Sequence, residues 1–240
     1  MPRADGRKVN ELRPVEMTTG FVKFAEGSVL IRCGDTVVLC NASVEERTPP
    51  HVKPGHGWVT AEYSMLPRAN RERSRRDVDK LKLSGRSAEI QRLIGRSLRS
   101  ATDLEALGSR TVTIDCDVLQ GDGGTRTASV TGGFIALALA CRKLLEQGKI
   151  SRMPLRTYVS GISAGIVRNE AMLDLCYEED SRAMVDLNCV MTAEGDIIEL
   201  QATGEGRPFT LEEQRKLVAL CRKGNAVLTQ MQRRCLGALE

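Results

Sequence analysis

The sequence predicts an α+β fold in which two βα lobes, residues 1–150 and 151–240, pack into a single compact unit. Three observations carry that expectation. The chain has 240 residues, enough for one large domain or for two small lobes that share an interface. Its apolar content of 41% and charged content of 28% are those of an ordinary globular protein. Strand patterns followed by two helices fill the first half, and strand patterns followed by one helix fill the second.

Residues 27–46, GSVLIRCGDTVVLCNASVEE, alternate in hydropathy and turn at Gly34-Asp35, the pattern of a β-hairpin. Residues 47–67 hold four of the eight prolines and both histidines, and read as a long loop. Residues 67–76, PRANRERSRR, put five arginines into ten positions; such a run cannot be core and stays mobile unless a polyanion orders it. Residues 84–108 read as one helix, with Ile90, Leu93, Ile94 and Leu98 on one face and Arg92, Arg96 and Arg99 on another. Ser84 is its expected cap, which leaves Arg86 in the first turn. A strand over 110–120, a glycine loop and a helix through 127–148 follow. Strand-like segments then fall near 156–167, 171–178, 184–191 and 195–203. A last helix over 209–236 opens with Thr210 as cap and Glu213 three residues on.

No apolar run reaches the roughly 18 residues that a bilayer span requires. The opening MPRADGRKVNEL is polar and lacks the apolar segment of a secretory signal, so the expected compartment is the cytoplasm and no membrane is expected as partner. The eight cysteines include no C-x-x-C and mostly lie in apolar stretches, which reads as reduced, buried thiols. No Cys/His cluster has zinc-ligand spacing. Net charge is a modest +4, but 26 of the 35 basic residues are arginine, whose planar fork grips phosphate at two points. A GC-rich coding sequence would give the same bias, so placement matters more than the total.

Three constellations carry chemistry. In QGDGGTRTASVTGG, residues 120–133, the glycines let the backbone approach an anion, the following helix start offers unpaired N–H donors, and Thr125 and Arg126 add a hydroxyl and a charged fork. A simple strand-to-helix turn would need the same glycines. The loop lacks G-x-x-x-x-G-K-[ST], so it is not a nucleotide P-loop. In LDLCYEEDSRAMVDLNCVM, a turn centred near Ala183 would set Asp180 opposite Asp186 on a hairpin. Like charges there repel, and a divalent cation or a proton-transfer role would offset the penalty; a solvated turn of different register is the plainer reading. Arg68, Arg71, Arg73, Arg75 and Arg76 could clamp a nucleic-acid backbone or simply be solvated. Aromatic content of 3% argues against base-stacking platforms. His51 and His56 are weak candidates for acid/base work.

The segments GRSAEIQRLIGRSLR, CDVLQGDGGTRTASVTGGFIALALA, LDLCYEEDSRAMVDLN and GEGRPFTLEEQ, in that order, resemble the RNase PH family of phosphorolytic 3′→5′ exoribonucleases along almost the whole chain. The resemblance implies the RNase PH-like fold. It also implies that Gly124, Thr125 and Arg126, with Arg86, bind inorganic phosphate as co-substrate. Asp180 and Asp186 would serve catalysis and a divalent metal, with Mg²⁺ the expected ion, and the arginines of 67–76 would contact tRNA. Members form homohexamers, as trimers of dimers, and remove nucleotides beyond the CCA end of tRNA precursors, releasing nucleoside diphosphates; they also act in ribosomal RNA turnover. Ala202 stands where the pattern leads one to expect glycine, and SGISAG (160–165) is a looser match. A water-using nuclease and a non-catalytic RNA-binding ring subunit are the competing expectations.

Overall fold

The structure, a computed structural model, describes residue 3 and residues 5–76 and 84–239. Strands β1 (Val15–Thr19), β2 (Gly27–Cys33), β3 (Thr36–Glu45), β4 (Trp58–Met65) and β5 (Thr111–Gln120) form one sheet in the order β1-β2-β3-β5-β4. The expected hairpin is β2–β3, with Cys33 paired to Thr36 across Gly34-Asp35. Its inward positions, Val29, Ile31, Val38 and Cys40, are fully buried. The expected long loop is interrupted by β4, which runs parallel to β5. Val59, Ala61 and Tyr63 alternate inward there, a short period-2 run that the neighbouring prolines obscure in the sequence.

The predicted helix over 84–108 is two helices, α1 (Gly85–Ser100) and α2 (Leu104–Leu107). Ser84 caps the first by accepting the Ser87 N–H at 3.0 Å. Asp103 ends the continuity by acting as a second cap, accepting the Ala106 N–H at 3.1 Å. The arginine face of α1 is structural in part. Arg96 donates to both carboxylate oxygens of Glu199 at 2.9 and 2.8 Å, and Arg99 lies 4.2 Å over the Trp58 ring while donating to the Val59 carbonyl.

Helix α3 (Thr125–Glu146) follows β5 and packs between this sheet and a second one. It is apolar on all sides because it is buried on all sides; Phe134, Ile135, Leu137 and Cys141 have no exposure. By length and composition alone it could cross a bilayer, contrary to the sequence expectation, yet most of it lies inside the protein core. Close approach is secured by glycine. A Cβ at Gly132 would lie 2.9 Å from Cys40 Sγ and Ile31 Cγ2, and one at Gly27 would fall on the Ala136 carbonyl oxygen.

The second sheet contains β6 (Val159–Val167), β7 (Glu170–Leu173), β8 (Val185–Thr192) and β9 (Ile197–Gly204), in the antiparallel order β7-β6-β8-β9. Helix α5 (Leu211–Leu236) covers it, setting Leu217, Cys221 and Leu228 against Ile162, Leu173 and Leu187. The Thr210–Glu213 cap is reciprocal: Thr210 N–H donates to Glu213 at 2.8 Å, and Glu213 N–H donates to Thr210 Oγ1 at 3.2 Å. Ala202 packs its methyl group against this second core. All eight cysteines are free thiols.

The acidic hairpin is not a hairpin. β7 stops at Leu173 because Asp174 adopts φ +53°, and the chain turns through α4 (Tyr177–Asp180) before entering β8. Asp186 does lie on a strand, but its cross-strand partners are Gly165 and Thr203.

Since α3 and β2 meet at backbone distance, Gly27→Ala is expected to lower stability by roughly 1–3 kcal/mol or more. Urea unfolding checks this; an unchanged midpoint would mean that the contact relaxes freely.

Candidate active site

The glycine loop owes its shape to the end of β5. Gly121 N–H donates to the Ala69 carbonyl at 2.9 Å, and Asp122 N–H donates to Thr36 Oγ1 at 2.9 Å, whose hydroxyl donates on to the Gly123 carbonyl at 2.7 Å. Gly123 and Gly124 then take φ +76° and +64°, which side-chain-bearing residues rarely hold. A Cβ at Gly123 would also lie 2.5 Å from the Leu175 carbonyl oxygen. Gly124 is the N-cap of α3 and supplies no side-chain acceptor. The first N–H groups of a 22-residue helix therefore face outward without a side-chain cap.

Thr125 is buried, and its hydroxyl shares a 2.8 Å hydrogen bond with the Tyr63 hydroxyl. Arg126 donates to the neutral amide oxygen of Gln201 at 2.9 Å and lies 3.7 Å from the half-exposed Glu89 carboxylate. Arg86 is exposed in the first turn of α1. All three face a cleft of about 330 Å³ between the starts of α1 and α3 and the second sheet with α4. Asp180, at the end of α4, and Asp186, on β8, line the same cleft. All six residues that the sequence singled out for phosphate and acid chemistry thus converge on one space. The carboxylates meet there by way of α4, not across a hairpin.

The electrostatics of the two aspartates differ in degree. Burial raises the Asp180 pKa against the pull of Arg86 and Arg126. For Asp186, burial and then the neighbouring Asp180 charge push the pKa up to about 6, against Arg126 and a 3.0 Å hydrogen bond from Asn188 Nδ2 to Oδ2. Its Oδ1 is buried without a hydrogen-bond partner, an arrangement that costs stability unless something else satisfies it. Among the described residues no cluster of three or more His, Cys, Asp or Glu side chains is built to hold a metal alone. Two carboxylates with one unsatisfied oxygen do fit a hard ion that keeps several waters.

The arginine run is more ordered than its composition suggests. Ala69 is buried and its carbonyl receives the glycine-loop N–H, so the run is fastened beside the cleft. Arg68, Arg71, Arg73, Arg75 and Arg76 are all exposed, and Arg71 lies 5.8 Å from the centre of the Tyr177 ring on α4. The histidines do not line the cleft; His51 packs edge-on against Trp58, and His56 is near the Pro54 carbonyl.

Sequence reasoning missed Ser163, Asn188 and Glu205, which also line the cleft. Asn188 was findable, since a strand residue two positions after Asp186 shares its face. It also missed Arg13 and Asp174, buried partners 161 positions apart; no local pattern could pair them. Burial disfavours the Arg13 charge, but Asp174 beside it outweighs that and holds the guanidinium protonated more firmly than usual.

Two family models match the chain: the 3′ exoribonuclease family domain 1 over residues 11–143, and domain 2 over residues 157–224. A relative named ribonuclease PH, from Moorella thermoacetica, is 52% identical over 238 residues, covering 99% of this chain and 95% of its own. The fold is similar to that of the Archaeoglobus fulgidus exosome with RNA bound to the active site, with TM-score 0.82, 23% identity and coverage of 96% and 92% of the two chains. It is also similar to rice (Oryza sativa) Rrp46, with TM-score 0.79, 20% identity and coverage of 98% and 100%. With both domain models matched in order and a full-length relative at half identity, the chain belongs to the 3′ exoribonuclease family.

Proposed function

We propose that the chain is a phosphorolytic 3′→5′ exoribonuclease that trims tRNA precursors beyond their CCA end. Inorganic phosphate is the co-substrate, and nucleoside 5′-diphosphates are the products. The observation that carries this reading is the cleft itself, where an uncapped helix start and two guanidiniums face two carboxylates. A hydrolytic nuclease uses water as nucleophile and has to hold only the scissile phosphodiester, not a second anion beside it.

In this reading, Arg86, Thr125, Arg126 and the N–H groups after Gly124 hold the phosphate. Its oxygen attacks the last phosphodiester phosphorus in line, the bond from phosphorus to the 3′ oxygen breaks, and that oxygen takes up a proton. Two anions must approach, so the guanidiniums offset their repulsion and the charge that develops between them. Asp180 and Asp186 would hold a divalent cation, Mg²⁺ by the hardness of the carboxylate oxygens. Such an ion, when bound, would neutralise the leaving oxygen and the phosphoryl charge. In its absence, Asp186 can itself carry a proton near neutral pH, since its pKa is raised to about 6.

The five exposed arginines of 67–76 would track the RNA backbone toward the cleft. The same reading extends to ribosomal RNA turnover, to a homohexamer built as a trimer of dimers and to action in the cytoplasm, all supported by the sequence resemblance. It assigns the phosphate and tRNA contacts to residues 1–150 and the acidic residues to 151–240.

Incubating 3′-tailed tRNA with and without phosphate tests the reaction. Nucleoside diphosphates formed only with phosphate support it; monophosphates formed regardless of phosphate would overturn it. Arg126→Ala is expected to raise the KM for phosphate strongly while tRNA affinity stays nearly intact. Loss of tRNA binding with unchanged phosphate dependence would contradict that role.

Neutralising the arginines of 67–76 should flatten the salt dependence of RNA binding by about 0.7 in log–log slope per lost contact. An unaltered slope would leave the run merely solvated.

Asp186 also sets a pH dependence. Its proton is held more tightly in the folded chain, so its contribution to stability is full below the ordinary aspartate range and is lost as pH rises through about 6. In metal-free protein, Asp186→Asn should therefore stabilise the fold at pH ~8, by at most about 3 kcal/mol, with little effect near pH ~4. Denaturant unfolding at both pH values checks the sign, and equal destabilisation at both would contradict it.

A further inference from the structure

Residues 3 and 5–13 belong to neither sheet, yet two of their arginines are buried. Arg3 and Arg13 are each only 5% exposed. Arg3 grips Glu179 with a fork: Nε donates to Oε1 at 2.7 Å and Nη2 to Oε2 at 2.6 Å. It also donates to the Leu173 carbonyl at 2.7 Å and to the Asp174 carbonyl at 2.9 Å. The Glu179 carboxylate accepts the Cys176 N–H at 3.1 Å as well, closing the start of α4. Asp180 is the next residue in that turn. Arg3 therefore anchors the turn that presents Asp180.

Arg13 acts on the opposite wall. Its backbone N–H and Nε donate to Asp174 Oδ2 at 2.7 and 3.1 Å, and its Nη2 donates to Oδ1 at 2.7 Å. Its Nη1 reaches the Asp122 carbonyl at 2.5 Å, within the loop that leads to Gly124, Thr125 and Arg126. Asp174 keeps a positive φ of 53°, which a residue with a side chain holds only when its surroundings fix it. Arg7 adds a 3.1 Å hydrogen bond to the Asp174 carbonyl. The Val9 carbonyl accepts the Leu173 N–H at 2.8 Å, which keeps the segment against β7.

We propose that this N-terminal segment is a strap carrying two positioning residues, in which Arg3 sets the acidic wall of the cleft through Glu179 and Arg13 sets the anion-binding wall through Asp174 and the Asp122 carbonyl. Neither arginine lines the cleft; Glu179 immediately precedes the lining Asp180, and Asp122 stands two residues before the lining Gly124. The two clamps hold different walls, so releasing them has different consequences. A strap that only added stability would lower the apparent kcat of both variants in proportion to the folded fraction and leave the KM for phosphate unchanged in both.

The test rests on the phosphorolysis reading for its readout, and uses steady-state kinetics on 3′-tailed RNA with phosphate varied, at a temperature where each variant is folded by circular dichroism. Arg3→Ala should lower kcat by about 100-fold, the scale of a 1 Å misplacement of a reacting group, with the KM for phosphate unchanged. Millimolar guanidinium should restore part of that kcat by refilling the buried slot. Arg13→Lys keeps the charge but loses the fork; it should raise the KM for phosphate about tenfold, the worth of one charge-assisted hydrogen bond, with kcat at saturating phosphate preserved. If Arg3→Ala does not fold, Arg3→Lys takes its place, with the same split between kcat and KM expected. A kcat loss in Arg3→Ala no larger than its loss of folded fraction, or an unmoved KM for phosphate in Arg13→Lys, overturns the proposal. Failure of the underlying reading is distinct: the unmodified protein would then release no nucleoside diphosphate.

Discussion

Opposite charges face each other across this cleft without closing on one another, and that constraint organises the fold around it. Among the described residues, no ion pair joins Arg86 or Arg126 to Asp180 or Asp186. Arg126 instead spends its hydrogen bond on the neutral Gln201, and Asp186 takes one from the neutral Asn188. Such a site is costly in the free protein. Burial and mutual repulsion raise the pKa of Asp186, and one of its oxygens has no donor. An anion among the guanidiniums and a cation among the carboxylates, as proposed, would offset that cost.

Keeping those groups apart requires walls that do not move. One wall is the start of α3, a helix fixed on both sides by two sheets, so its first turn has little freedom to drift. Gly27 and Gly132 make that packing possible, because the α3 backbone stands where a Cβ at Gly27 would go and first-sheet side chains stand where one at Gly132 would. The acidic wall is weaker in itself: a single turn, α4, and one strand, β8. In the proposed strap it depends on Arg3 with Glu179, while Arg13 with Asp174 braces the loop that leads into α3. Breaking one member of such a pair is severe, since its partner is left charged and buried.

The parts of this arrangement written in short-range pattern were legible in the sequence. The β2–β3 hairpin, the Ser84 and Thr210 caps and the amphipathic course of α5 follow from hydropathy period and cap chemistry. The glycine loop with Thr125 and Arg126 was legible for the same reason, since positive φ and a helix start are local requirements. The failures are equally physical. Strand β4 was hidden because proline density nearby outweighed its short alternation, and α2 because Asp103 reads as a helix residue as easily as a cap. The route joining Asp180 to Asp186 was misread because spacing in sequence suggested a hairpin, whereas the backbone at Asp174 ends β7 early. The Arg13–Asp174 clamp spans most of the chain, and nothing local marks it.

The account depends most on an inorganic anion sitting at the start of α3. Diffraction from sulfate-free crystals soaked in thiophosphate, measured for the anomalous signal of its sulfur, tests this directly. The account requires a peak between the guanidiniums of Arg86 and Arg126, within hydrogen-bond reach of the N–H groups that follow Gly124. A cleft without a peak at saturating thiophosphate, or a peak held by other residues, would contradict it.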